Sequence, residues 1–516
     1  MTAPSEDTFL VFDEDEVGTP DAPKSFRSPQ PYKEGVARVA SKAEVFFDEE
    51  GLFDLKDATG KPPLSTLYIP QAEVLKLKGT NGLTAISTFS GCEGSGTGFA
   101  WAGWDVLASV EFVHAARRTI MANYPNFLEI GPEVVLEAAL KWQASDGNPG
   151  LTIPVKKEQQ RKRMGTIPAC VVWYKVLEML KDVKDGQEVW KDLVSFVNDA
   201  VMPPSGSKQP VLWGDDIRAI DPDVLMDVMG LEPGDLDCFE GSPPCQSFSM
   251  SGARERKWGQ VHHYSDERHQ ITDDLFWEFA RLLDAFRPKT FLAENVAGLT
   301  MGEAEEKVMR PLLRDLRSMG YRVEARLLNA VNYGVPQSRP RLFFQGIRED
   351  LKDAETGELL HPTWPIELPW TFTVGDALEA AGESPAEELE WVNIKRFEIG
   401  KMWEKLGLGA SPGNKAFQLR RCHPDQPAPT LTAMSCGDQS SAGPTHPYEP
   451  RKFTITEYRW LAGFPTDYQF EGNYDQQGER VGRAVPPYFM RAIAASIADN
   501  LKRANVVAKK AKRTKR

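Results

Sequence analysis

Short apolar runs alternate with amphipathic stretches along most of the chain beyond residue 80. Leu83–Phe89 is an apolar run that stops at a glycine-rich turn, Ser90–Gly98, as a buried strand closed by a turn does. Asp105–Val110 is a second such run, ending at Glu111, and a helical pattern follows to about Ala122. Val211–Trp213 leads into Gly214-Asp215-Asp216, and Leu236–Phe239 into Gly241-Ser242-Pro243-Pro244-Cys245. Leu275–Phe286 has helical periodicity, Thr290–Ala293 is a short strand closing on Glu294-Asn295, and Tyr321–Leu328 and Arg341–Ile347 are strands around a loop. Strand, helix and strand recur, with polar or reactive residues at the carboxyl end of each strand. This order predicts an α/β protein, a doubly wound Rossmann-like sheet whose ligands sit at the strands' carboxyl ends.

The remaining stretches set the domain boundaries. Residues 1–45 are rich in Pro, Ser and acids, so 1–80 is expected to be a largely disordered acidic leader with short elements near its end. A catalytic domain covers 81–348, with an insertion at about 131–210 that carries basic Lys156–Arg163 and a helical pattern at Val171–Leu180. Residues 349–450 are richer in Pro and Gly and form a small, irregular second domain. Helical patterning resumes over 451–503, returning to the first domain, and 504–516 is a basic tail.

Composition narrows the class only slightly. With 516 residues, 41% hydrophobic and 26% charged, the chain reads as globular, with room for two or more domains. No apolar run is long enough to cross a bilayer, and Met1 opens no signal segment. The six cysteines contain no CxxC pair, so neither a metal site nor a disulfide framework is expected, and the protein reads as reduced, intracellular and cytoplasmic. A net charge of −13 argues weakly against a phosphate-rich partner. Basic clusters at Arg161–Arg163, Arg254/Arg256/Lys257 and Lys509–Arg516 offset that, because nucleic acid is bound by local surface rather than total charge.

The chemistry lies in the strand ends. A turn such as Phe89-Ser90-Gly91-Cys92-Glu93-Gly94 lets a backbone approach a nucleotide closely. Glu111, with Phe112 beyond it, stands where an acid commonly accepts hydrogen bonds from ribose hydroxyls. Pro243-Pro244-Cys245-Gln246 presents a thiol on a stiff loop with two backbone donors removed; a structural cysteine is the alternative. Glu294-Asn295 follows an apolar strand with no local positive partner, so the carboxyl is expected to be desolvated and able to hold or donate a proton. Arg339 and Arg341 alternate into a strand and would share a face, suited to a carboxylate or a phosphate.

Taken in order, Phe89–Trp104, Gly241–Ser249, Glu294-Asn295-Val296, Gln337-x-Arg339-x-Arg341, Pro427-Ala428-Pro429-Thr430-Leu431-Thr432 and Gly482–Pro487 resemble the DNA (cytosine-5)-methyltransferase family. The resemblance covers roughly 83–128, 211–348 and 415–503, and six motifs in the right order leave little room for chance. It implies an S-adenosylmethionine-dependent fold with a target-recognition domain, acting on double-stranded DNA without a metal. Cys245 would add to carbon 6 of a flipped cytosine, Glu294 would contact ring nitrogen 3, and Arg339, Arg341 and Asn295 would support the base. Glu111 would bind ribose, Asp216 and Ile217 would border adenine, and Pro243, Ala484 and Val485 would complete the cofactor pocket. The gap from about Arg348 to Arg420 is short for target recognition, which implies a short or relaxed recognition sequence. A monomer is the default.

Two residues depart from the family pattern. Glu93 stands where glycine is usual, near the cofactor's amino-acid end, and Arg483 where asparagine is usual, near the donor's reactive end. A fixed cation beside a sulfonium disfavours ordinary S-adenosylmethionine. It favours carboxy-S-adenosylmethionine, whose extra carboxylate an arginine can hold in a bidentate way, giving 5-carboxymethylcytosine. If Arg483 instead pairs with Glu93 or faces solvent, the enzyme is a plain methyltransferase. Two rivals remain: a tRNA cytosine methyltransferase, and an inert DNA-binding regulator on the same scaffold.

Overall fold

The computed structural model describes residues 61–131, 138–139, 141–142, 203, 209–244, 262–263, 269–270, 275–300, 304–392, 403–411, 419–433 and 443–504. Cys245, the helical pattern at Val171–Leu180, the three basic clusters and the leader to residue 60 lie outside them.

Eight strands make one sheet: β1 (Thr84–Thr88), β2 (Asp105–Val110), β3 (Leu128–Ile130), β4 (Val211–Trp213), β5 (Cys238–Gly241), β6 (Thr290–Val296), β7 (Tyr321–Asn329) and β8 (Pro340–Arg348). Their spatial order is β3-β4-β2-β1-β5-β6-β8-β7. The neighbours from β3 to β6 are all parallel, whereas β8 runs antiparallel to both β6 and β7. The reversal has a simple cause. Only residues 330–339 separate β7 from β8, and a 3-10 turn at Ala330–Tyr333 takes part of them; a parallel return needs a crossover of a dozen residues or more.

Consecutive strand residues feed two cores, as a sheet covered on both faces requires. Ala85, Leu292 and Phe343 enter one core, while their neighbours Ile86, Phe291 and Phe344 enter the other. Among the helices that precede β7 are α1 (Gln71–Leu77), α2 (Gly94–Trp101), α3 (His114–Asn123), α4 (Pro222–Met229), α5 (Leu275–Phe286) and α6 (Arg310–Ser318). Helix α5 shows why the pattern was readable: Leu275, Phe276, Phe279, Leu282, Leu283 and Phe286 make its buried stripe, and Trp277 stays exposed.

Later come α7 (Val374–Ala381), α8 (Ala386–Trp391), α9 (Ile455–Leu461), α10 (Tyr474–Arg483) and α11 (Pro487–Lys502). Helix α11 is buried along nearly its whole length and lies against α2. Gly98 permits that approach, since a Cβ there would stand 2.6 Å from the Pro487 carbonyl and 2.9 Å from the Arg491 nitrogen. Trp104 fastens the same contact by donating Nε1–H to the Ala494 carbonyl at 3.1 Å. Within 349–450, α7 is closed by a Thr373–Asp376 capping box and packs on α9. Strands β9 (Leu419–Arg421) and β10 (Gly443–Thr445) pair in parallel beside it. Trp403 and Leu419 form a small core of their own there, and Arg421 lies over the Trp403 ring at 4.0 Å. No helix among the described residues is long and apolar enough to cross a membrane.

Candidate active site

The carboxyl ends of β1, β2, β4, β5 and β6 face a cavity of about 250 Å³, lined also by the α10–α11 junction. Three walls differ in chemistry.

The first wall is the glycine-rich turn. Phe89, Gly91 and Glu93 all take positive φ, at 54°, 57° and 63°, which bends the chain sharply from β1 into α2. Ser90 fixes the bend by donating its hydroxyl to the Ser87 carbonyl and hydroxyl. Glu111, at the end of β2, accepts from Gly91 N at 2.7 Å and from Val113 N at 2.6 Å. Burial pushes its carboxyl up, while these two N–H groups and the charges of Arg480 and Arg117 pull it down. Each of its oxygens keeps a lone pair for a hydroxyl ligand. Phe112 and Ile217 border the same space.

The second wall is built from β6 and β8. Arg341 Nε meets Glu294 Oε1 at 2.8 Å, so the expected absence of a positive partner for Glu294 does not hold. The partner comes from the antiparallel neighbour, where Arg341 stands opposite Val296 and Phe343 opposite Glu294. Burial lowers the pKa of Arg341, and Glu294 opposes that shift. Asn295 donates Nδ2–H to the Pro243 carbonyl at 3.1 Å, tying down the loop two residues before Cys245. Arg339 is 2% exposed and spends its guanidinium on carbonyls, donating to Leu431 at 2.6 Å, Gly482 at 3.1 Å and Arg483 at 3.3 Å. It therefore joins the second wall to the third. The Pro427–Thr432 segment backs this joint: Leu431 N donates to Gln337 Oε1, and Thr430 donates to the Ser338 carbonyl.

The third wall is the end of α10 and the residues after it, Gly482, Arg483, Ala484 and Val485. Arg483 lines the cavity and pairs through Nε with Glu479 Oε1 at 2.8 Å, not with Glu93. Glu479 Oε2 also lies 2.8 Å from Arg480 Nη2. Glu479 is itself set back from the cavity, so the third wall presents guanidinium groups to whatever enters.

Two of the expected cofactor residues stand elsewhere. Glu93 is 1% exposed and does not line the cavity. Its side chain folds over Gly96, where a Cβ would fall 1.7 Å from Oε1, and accepts from the Ser109 hydroxyl at 2.9 Å. Burial raises its pKa to about 8. Glu240 lies in the same layer, and burial lifts its carboxyl in the same direction. Asp216, expected at adenine, turns its carboxylate to Arg218 at 3.1 Å and caps the 3-10 turn Ile217–Ala219; Asp215 lines the cavity instead.

Phe89, Ser90, Gly91, Gly94, Glu111, Phe112, Ile217, Pro243, Glu294, Asn295, Arg339, Arg341, Arg483, Ala484 and Val485 thus share one cavity. Sequence reasoning missed Arg480 and Asp215. The signal for Arg480 was its position three residues before Arg483 in a helical pattern, which places both on one face.

Comparison with known proteins agrees with this layout. Residues 210–499, more than half of the chain, match the C-5 cytosine-specific DNA methylase family. The type II methyltransferase M.Sau96I of Staphylococcus aureus is 30% identical over 287 residues, covering 52% of this chain and 62% of that protein. M.Eco47II of Escherichia coli is 31% identical over 291 residues, covering 52% and 65%. M.DdeI of Desulfomicrobium norvegicum is 28% identical over 347 residues, covering 55% and 79%. The chain thus spans less than two thirds of the length of the first two relatives. With a single match running from β4 into α11, across the second and third walls of the cavity and more than half of the chain, the chain belongs to the C-5 cytosine-specific DNA methylase family.

Proposed function

We propose that this chain alkylates carbon 5 of cytosine in double-stranded DNA inside the cell, with Cys245 as a covalent nucleophile. The observation that carries this reading is the second wall. Glu294, paired with Arg341, shares one cavity with Pro243 and Pro244, which lead directly to Cys245. In this reading the base leaves the duplex and enters against Glu294. The Cys245 thiolate forms a bond to carbon 6, and the displaced electron pair moves toward ring nitrogen 3, where Glu294 holds the proton. Carbon 5, now enamine-like, would bond to the donated carbon as that carbon's bond to the donor sulfur breaks and the sulfur leaves as a neutral thioether. Loss of the carbon 5 proton to solvent restores the ring double bond and expels the thiolate, so the enzyme returns unchanged.

The residues present fit a nucleoside with an amino-acid tail. Glu111 retains acceptor capacity at the ribose position, Ile217 and Phe112 offer apolar contact for a base, and the third wall offers cations for a carboxylate. An S-adenosylmethionine-type sulfonium supplies an electrophilic carbon when bound. For the donor, the guanidinium character of the third wall favours carboxy-S-adenosylmethionine, with Arg483 receiving the additional carboxylate. A second reading, plain methyl transfer, draws on the Arg483–Glu479 ion pair, which occupies the arginine's Nε from behind.

Duplex DNA bearing 5-fluorocytosine tests the nucleophile, because fluorine at carbon 5 cannot leave as a proton does. The expected result is a denaturation-resistant protein–DNA adduct with the native chain and none with Cys245→Ala. No adduct with the native chain overturns the covalent role, and an adduct on tRNA in place of DNA overturns the substrate.

A further inference from the structure

Arg480 is 2% exposed, yet it lines the cavity. Its Nε and Nη2 are buried atoms with no hydrogen-bond partner. Glu479 Oε2 is close to Nη2, at 2.8 Å, but it too has no hydrogen bond; the contact is one of charge without aligned geometry. A buried guanidinium with idle donors is costly, and such groups in a folded protein usually mark a place where a ligand or water supplies the acceptor.

Its surroundings say which ligand group would fit. The Arg480 carbonyl accepts from the Cys92 thiol at 3.6 Å, which holds the residue against the glycine-rich turn. From there its charge acts on Glu111 and Cys92, lowering both against the upward push of burial. Arg483 leads the other way, with its carbonyl held by Arg339 at 3.3 Å on the side of the base. The charge of Arg480 is thus felt by groups of the turn, whereas the Arg483 side chain pairs through Nε with Glu479.

We infer that Arg480 is the receptor for the α-carboxylate of the cofactor's amino-acid tail, a binding residue separate from any choice between methyl and carboxymethyl donors. The inference rests on the cofactor reading given above. Two parallel N–H donors match a carboxylate's two oxygens, and a guanidinium already fixed by burial loses little freedom on binding. A donor carrying two carboxylates would then meet one arginine for each.

The test compares two nucleosides by titration calorimetry on the full chain: S-adenosylhomocysteine, which keeps the amino-acid tail, and 5′-methylthioadenosine, which lacks it. Arg480→Gln is expected to weaken S-adenosylhomocysteine by about tenfold or more, while methylthioadenosine stays within about twofold of the native chain. Equal weakening of both would mark Arg480 as structural, and no change in either would mean that water alone meets its donors; each result overturns the inference. If Arg480→Gln does not fold, Arg480→Lys carries the same comparison, since it keeps the charge and loses the fork. Failure of the native chain to bind either nucleoside contradicts the cofactor reading itself, a different outcome from a tail-independent change in the variant.

Discussion

Glu294, on the second wall of the cavity, and Glu479, behind the third, are paired in different ways. Glu294 meets Arg341 across neighbouring antiparallel strands, and both residues face the cavity. Glu479 meets Arg480 and Arg483 within one helix, and only the arginines face the cavity. A wall that shows both charges can hold a neutral base by directed hydrogen bonds and manage one proton. A wall that shows guanidinium groups with their carboxylate behind is suited to an anion. The two kinds of secondary structure account for the contrast: a strand pair sets acid and base side by side, whereas a helix can place its acid one row behind its bases.

Changes to these carboxyls separate the two walls. Glu294→Gln keeps the shape but removes the exchangeable proton, and product formation is expected to fall by roughly 10²–10⁴-fold, with S-adenosylhomocysteine affinity unchanged. Parallel losses in rate and affinity would mean that the walls do not act separately.

A smaller effect is expected from Glu93, a carboxyl whose hydrogen bond comes from the Ser109 hydroxyl rather than from a guanidinium. Its surroundings include Ser109, Glu111, Glu240 and Lys78. With a folded pKa of about 8 against an ordinary 4.5, the native state keeps a proton that the unfolded state has released. The contribution of Glu93 to stability is therefore fully present below the ordinary carboxylate range and is lost as pH rises to about 8. Glu93→Gln is expected to flatten that decline in denaturant midpoints measured from pH 5 to pH 8. The same slope in the variant would place the proton on another group.

The sheet was legible because its strands are buried on both faces and read as continuous apolar runs, so Asp105–Val110 and Val211–Trp213 carry the observed bounds, as does the amphipathic helix Leu275–Phe286 through its periodic stripe. The lining of the cavity was legible where a residue stands at a strand end, as Glu111 and Glu294 do. It was not legible where the answer depends on a neighbour distant in sequence. The positive partner of Glu294 lies on β8, and no local pattern announces a cross-strand pair. Glu93 was placed near the ligand from its position in the turn, but the space over Gly96 draws its side chain beneath the cavity. Asp216 was assigned to adenine by resemblance, whereas the 3-10 turn at Ile217–Ala219 takes it as its cap and Asp215 lines the cavity. Arg480 was passed over although its spacing of three from Arg483 sets both on one face of α10; packing against Cys92 and the cavity lining show that this face meets the cavity.

The most direct measurement is mass spectrometry of nucleosides from duplex DNA treated with the purified chain, offered S-adenosylmethionine and its carboxy derivative at equal concentration. The account predicts cytosine modified at carbon 5, with 5-carboxymethylcytosine in excess for the native chain and 5-methylcytosine in excess for Arg483→Asn. The same donor preference in both would contradict the role given to Arg483, and unmodified cytosine with either donor would contradict the account at its centre.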